Sequence, residues 1–251
     1  MAYIDRDGVQ IYYEVHGSGP VVLLSHGYSA TSAMWTGQIG PLSKSHKLII
    51  WDMRGHGNSD SPANPAQYSE ALTTADMAAL LDEVDAPTAV IGGLSLGGYM
   101  SLSFNVAYPS RVRALMLFDT GPGYRSDTGR EGWNRIAAQR AKELETKGLA
   151  ALGSSGEVAM SRHKSAQGLA HAARGMLAQT DGRVMASLPE IRVPTLVLVG
   201  ALDQPFLGAT DYMAGKIPGA TRVVIDGAGH ASNIDRPREF NAAVTEFLAK
   251  L

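Results

Sequence analysis

The sequence contains no cysteine. Disulfides, thiolate nucleophiles, Cys-ligated zinc and iron–sulfur clusters are therefore excluded. Long apolar runs are missing too. None exceeds about seven residues, against the roughly 20 that a membrane-spanning helix needs. The opening Met-Ala-Tyr-Ile-Asp-Arg-Asp-Gly holds no apolar h-region, so no signal peptide is expected and the cytoplasm is the expected compartment. There is no charge excess: Lys+Arg number 22 and Asp+Glu 24, a net charge of −2. Whole-molecule attraction to nucleic acid or to an acidic membrane is not expected. The histidines lack metal-ligand spacing and H-E-x-x-H is absent, so neither a metal nor a cofactor is expected.

What is present is an ordinary globular composition, 45% hydrophobic and 18% charged over 251 residues. That length suffices for one large domain with a substantial core. Residues 3–6 and 9–15 flank Asp7-Gly8, a hairpin turn signal. Short apolar runs follow at 21–25, 47–51, 89–92, 114–118, 195–199 and 222–225. They are too short for helices and are bounded by Gly, Pro or Asp, as strands buried on both faces of a parallel sheet would be. Amphipathic stretches at 70–84, 96–108 and 236–251 separate or follow them. This alternation predicts an α/β fold. Residues 121–188 break it, with helical composition at 133–144 and 166–177 and no strand-like run. The chain thus divides into a core, 1–120 and 189–251, and a small helical cap insertion. The cap carries ten Lys/Arg against six Asp/Glu.

Gly93-Leu94-Ser95-Leu96-Gly97 is a G-x-S-x-G pattern. In a chain with 28 glycines the pattern alone is close to a chance match. Its placement between an apolar run and an amphipathic stretch is what a nucleophile elbow requires. There a tight turn projects the serine hydroxyl at a helix N-terminus, where free N–H groups favour developing negative charge. A serine nucleophile needs an imidazole oriented by a carboxylate. His230, in Asp226-Gly-Ala-Gly-His230, follows a predicted strand and precedes the last predicted helix. Asp203 follows the strand at 195–199 and Asp119 the strand at 114–118, so both are candidate acids. Both fit the chain order Ser…Asp…His.

Ser25-His26-Gly27-Tyr28 with Trp35 resembles the HG-x-aromatic loop of α/β-hydrolases, and Asp52-Met-Arg54-Gly55-His-Gly57-Asn-Ser59 resembles their D-x-R-G-x-G-x-S turn. With the elbow, Gly200–Asp203 and Gly227–His230, the motifs come in that family's order. The resemblance implies a mostly parallel sheet of about eight strands flanked by helices, a triad of Ser95, Asp203 and His230, and an oxyanion hole from the backbone N–H groups of Tyr28 and Leu96. It implies that His26 orders its loop and that Asp52 and Arg54 are scaffold. Dehalogenases and epoxide hydrolases of the family carry Asp where this chain has Ser95, so both are disfavoured.

The expected function is hydrolysis of a small carboxylic ester or lactone through an acyl-enzyme. The elbow, the Asp-x-Arg-Gly-His-Gly turn and Trp133 followed by Arg135-Ile136 resemble 3-oxoadipate enol-lactonases, which implies a carboxylate-bearing substrate that the basic cap could hold. The stronger reading of the cap's cations, Arg130, Arg140, Lys142 and Lys147 among them, is solvated helix faces. C–C bond hydrolysis, and a ligand-binding or sensor role on the same fold, are the alternatives. Met34, Trp133, Phe206 and Leu207 are candidate pocket residues. A small-molecule substrate is the expected partner.

Overall fold

The computed structural model describes residues 2–251. Eight strands make one sheet: β1 (Ala2–Arg6), β2 (Val9–His16), β3 (Val21–Ser25), β4 (Lys47–Trp51), β5 (Ala89–Leu94), β6 (Val112–Phe118), β7 (Thr195–Gly200) and β8 (Thr221–Ile225). Their order is β1-β2-β4-β3-β5-β6-β7-β8. β2 pairs antiparallel with β1 and with β4, and every other pair is parallel. The β1–β2 hairpin turns on Asp7 and Gly8 at φ 57° and 82°, the two positive dihedrals of a tight turn that matches strand twist.

The continuous apolarity of the central strands has a direct cause. Along β3, Leu23 packs into one core cluster while Val22 and Leu24 pack into another. β4 repeats this with Ile49 against Leu48 and Ile50, and β7 with Val197 against Leu196 and Leu198. Both faces are covered, so both phases of the period-two pattern must be apolar. Helices Glu70–Glu83, Leu96–Ala107 and Gln204–Lys216 supply Met77, Leu81, Met100, Phe104 and Met213 to the first cluster. Helices Thr36–Leu42 and Pro237–Leu248 supply Leu42, Phe240, Val244 and Phe247 to the second.

The strand order reverses between β3 and β5, because the chain leaves β3 toward β4 on one side and returns to β5 on the other. In open α/β sheets the crevice at such a reversal, beyond the carboxyl ends of the strands, is where ligands sit. The loops carrying Tyr28, Ser95, Asp119, Asp203 and His230 all leave that edge, after β3, β5, β6, β7 and β8.

Between β6 and β7 the chain is helical. The main helix, Asp127–Lys147, extends beyond both ends of the expected stretch at 133–144. The expected single helix at 166–177 is an α-helix, Ala166–Ala172, that widens into a π-turn over Ala173–Leu177. Gly175 lies there against the Tyr68 carbonyl, so close that a Cβ would come within 2.0 Å of the oxygen. Two helices of the sheet faces carry residues of low helix propensity inside them, Pro41 in Thr36–Leu42 and Gly208 and Gly215 in Gln204–Lys216. Packing stabilises them against propensity.

The Asp52–Ser59 turn is built by charge. Asp52 Oδ1 accepts from Ser32 N at 2.7 Å and Oδ2 from Asn58 N at 2.8 Å. Arg54 Nε and Nη2 donate to the two Asp76 oxygens at 2.6 and 2.8 Å, with both side chains buried. Breaking a buried pair of this kind leaves an uncompensated charge and costs about 3–5 kcal/mol. Asp76→Ala should therefore lower unfolding free energy by about that amount in urea titration; a change below about 1 kcal/mol would show that solvent, or Gln67, whose Oε1 already accepts from Arg54 Nη1 at 2.8 Å, takes over the guanidinium.

Candidate active site

Ser95 is the hinge between β5 and the helix Leu96–Ala107. Its φ of 55° is a conformation L residues rarely adopt. The strained turn is held on both sides: Ser95 N donates to Phe118 O at 3.0 Å, and Ser95 O accepts from Tyr99 N at 3.1 Å and Thr120 Oγ1 at 2.6 Å. The flanking glycines are obligatory here. A Cβ on Gly97 would lie 2.1 Å from Ser25 O, and one on Gly93 would lie 2.4 Å from the Gly97 carbonyl carbon.

His230 is delivered by the loop after β8. Its Nδ1 lies 2.8 Å from Asp203 Oδ2. Because the carboxylate only accepts, Nδ1 carries the proton and Nε2 is left as the base nitrogen. The ring stacks on Phe206, centroids 5.0 Å apart. Burial lowers the His230 pKa. The hydrogen bond to Asp203 and its charge outweigh this, with smaller contributions from Asp119 and Glu157, and the net shift is upward. Gly200 explains the Gly-x-x-Asp turn: the His230 loop crosses over it, and a Cβ there would meet Gly229 O at 2.3 Å.

Of the two acid candidates, only Asp203 bonds the imidazole. Asp119 accepts from Gly200 N at 2.7 Å and from Ser232 Oγ, tying the end of β7 to the segment that follows His230. Burial pushes its carboxyl up to about 7, against these hydrogen bonds.

Ser95, Asp203 and His230 line one cavity of about 840 Å³, together with Tyr28, Leu96, Trp133 and Phe206. No hydrogen bond joins Ser95 Oγ to His230 among the described residues; such bonds are often long in free enzymes and tighten around substrate. The N–H groups of Tyr28 and Leu96 have no protein acceptor among the described residues. The Tyr28 loop is fixed by His26, whose Nδ1 lies 2.7 Å from Gly27 O while Nε2 accepts from Met53 N at 2.9 Å. Both ring nitrogens are used by the neutral form.

Two expected pocket residues lie elsewhere. Met34 is fully buried in the second core cluster, on the opposite face of the sheet, because its turn packs down onto Trp35 and Phe118. Leu207 is not among the cavity-lining residues, because the helix Gln204–Lys216 turns Phe206 and Ala209 inward instead. Several cations of residues 121–188 are taken up by local partners rather than presented to the cavity. Arg174 pairs with Glu145, Arg183 with Glu70, and Arg130 with Asp127 and nearby carbonyls. Of the Lys and Arg residues in 121–188, Arg140 alone lines the cavity, beside Glu143 and Glu157. Tyr99, Gln179 and Glu157 also line it and belong to no sequence pattern.

The α/β hydrolase family model matches residues 21–243. The chain belongs to the α/β-hydrolase family. It is 30% identical to 3-oxoadipate enol-lactonase 2 of Acinetobacter baylyi over 94% of this chain and 92% of that one. It is 29% identical to a Bacillus subtilis protein that carries the provisional name 2-succinyl-6-hydroxy-2,4-cyclohexadiene-1-carboxylate synthase, over 98% and 97%. A thermophilic esterase from Thermogutta terrifontis superposes with a TM-score of 0.83 at 28% identity, covering 99% and 97% of the two chains. Among the described residues no helix is long and apolar enough to cross a membrane.

The buried histidine gives a pH prediction. Burial lowers the His26 pKa from 6.5 to about 4. As pH falls, the unfolded chain takes up a proton near 6.5, whereas the folded chain resists until about 4. The unfolded state binds more protons in that window, so stability falls as pH drops through it. The melting temperature of the wild type should decline more steeply from pH 6.5 to 4.5 than that of His26→Asn. Equal slopes would show that His26 is not a source of acid sensitivity.

Proposed function

We propose that this α/β-hydrolase is a serine esterase that cleaves a small, uncharged carboxylic ester or lactone through an acyl-enzyme. The observation that carries the reading is the Asp203–His230 hydrogen bond at 2.8 Å beside a cavity into which a strained Ser95 opens. Ser95 Oγ attacks the carbonyl carbon while His230 Nε2 takes its proton. The Tyr28 and Leu96 N–H groups receive the oxyanion, each such donor contributing on the order of 10²–10³ in rate. His230 then protonates the leaving oxygen. Water enters, is deprotonated by the same imidazole, and releases the acid. Asp203 holds the imidazole in the productive tautomer and stabilises its charged form.

Residues 121–188 serve as the cap. Tyr124, Trp133, Leu144, Leu152 and Leu177 from this segment make an apolar roof over the cavity. One arginine facing two glutamates makes a poor site for a substrate carboxylate, which argues for uncharged substrates despite the likeness to an enol-lactonase.

Ser95→Ala should reduce turnover of p-nitrophenyl acetate and butyrate by at least about 10³-fold. Retention of activity within tenfold would remove the acyl-enzyme. The pH profile supplies a second check. The raised His230 pKa places the acid limb of kcat/KM above pH 6.5, because imidazolium cannot accept the serine proton. Asp203→Asn removes the hydrogen bond and charge that raise it. The limb should move to lower pH, with a rate loss on the order of 10³–10⁴. An unmoved limb would mean that another group governs it.

A further inference from the structure

Glu157 stands out among the residues around the cavity. It sits on a short helix, Gly156–Ala159, and lines the cavity while only 8% exposed. Its Oε1 accepts from Ser155 Oγ at 2.8 Å. Its Oε2 is buried without any hydrogen-bond partner among the described residues. Buried carboxylate oxygens are nearly always satisfied, and one that is not marks a place where a partner is missing. The position is held firmly. Ser161 Oγ donates to Glu157 O at 2.7 Å, and Thr31 Oγ1, from the loop after β3, donates to Ser161 Oγ at 3.4 Å.

Its location tells which part of a substrate would meet it. The segment packs on the turn that follows His230: a Cβ on Gly156 would touch Ile234 Cγ2 at 3.4 Å. The negative charge of Glu157 also acts on the His230 imidazole. His230 must reach the leaving oxygen to protonate it, so the alcohol part of an ester lies on the His230 side of the cavity. An ionised carboxylate only accepts hydrogen bonds, so its complement is a donor. A neutral hydroxyl loses less hydration than a cation on entering a site this buried, which favours it as the donor.

We propose that Glu157 is the specificity-determining residue of the leaving-group subsite, and that the alcohol released carries a free hydroxyl that donates to the Glu157 carboxylate. The substrate class is then a monoacyl ester of a diol or polyol. This rests on the serine-esterase reading above. A site that uses a buried acceptor to bind a hydroxyl rejects the analogue lacking it, because the acceptor is left unpaired.

The test compares 2-hydroxyethyl butyrate with propyl butyrate, which differ by a hydroxyl in place of a methyl. Wild type should favour the hydroxyethyl ester by about tenfold or more in kcat/KM. Glu157→Leu should bring that ratio to near one, and Glu157→Gln, which keeps a neutral acceptor and the side-chain shape, should leave an intermediate ratio. The proposal is overturned if wild type shows no preference, if both variants keep it, or if 2-(dimethylamino)ethyl butyrate is preferred to the hydroxyethyl ester. Calorimetric binding of the hydroxyethyl and propyl esters to Ser95→Ala, with and without Glu157→Gln, separates the two readings. A hydroxyl preference in binding that Glu157→Gln weakens supports the subsite whether or not Ser95 proves to be the nucleophile. Equal binding of the two esters overturns the subsite even if Ser95 is confirmed.

Discussion

β3 ends at Ser25, and its register partner on the parallel neighbour β5 is Gly93. This one pairing, at the point where strand order reverses, sets the distance between the Tyr28 loop and the Ser95 turn. The helix after β5 starts so close to β3 that Gly97 faces the Ser25 carbonyl with no room for a side chain. The two N–H groups proposed for the oxyanion therefore come from segments separated by one strand spacing, each anchored by backbone hydrogen bonds of the sheet. His26 continues the constraint, because its two ring nitrogens join Gly27 to Met53 at the end of the next strand. A loop locked in this way needs little reorganisation when charge develops, and pre-organisation of donors is the largest single contribution available to acyl transfer.

The carboxylates show the same economy of placement. Asp119 and Asp203 follow neighbouring strands, yet their surroundings divide their work. Asp203 meets His230, and its charge keeps the imidazole a better base than burial alone would allow. Asp119, pushed up to about 7 by burial, meets Gly200 N and Ser232 Oγ on either side of that pair. Two carboxylates in one site with different environments take different roles. Asp119, the more deeply buried of the two, fixes the segments that carry Asp203 and His230.

Much of this was legible in residue patterns, for physical reasons. Strands buried on both faces must be apolar in both phases, so β3 and β4 fall on the expected 21–25 and 47–51. β5 runs two residues past the end of its apolar run and β6 starts two residues before its own, because glycine and polar positions at strand ends still pair. The elbow and the Gly200 turn are legible because close backbone contacts tolerate only glycine. The helix Gln204–Lys216 was hidden by Gly208 and Gly215, and the π-turn by a sterically forced glycine at 175. Met34 and Phe206 are both large and apolar, and only the direction of the local turn sends one to the core and the other to the cavity. The positive charge of residues 121–188 was visible, but not that Arg130, Arg174 and Arg183 would be taken up by carboxylates and carbonyls. Glu157 left no periodic signal, since it lies on a helix of four residues.

The account stands on Ser95 as an activated nucleophile. The most direct measurement is intact-mass and peptide mapping after exposure to a fluorophosphonate, which reacts with a serine only where a base and an oxyanion hole act together. The account predicts one stoichiometric adduct on the peptide containing Ser95, abolished in Ser95→Ala and slowed in Asp203→Asn. An unlabelled wild-type protein, or an adduct on another residue, would contradict it.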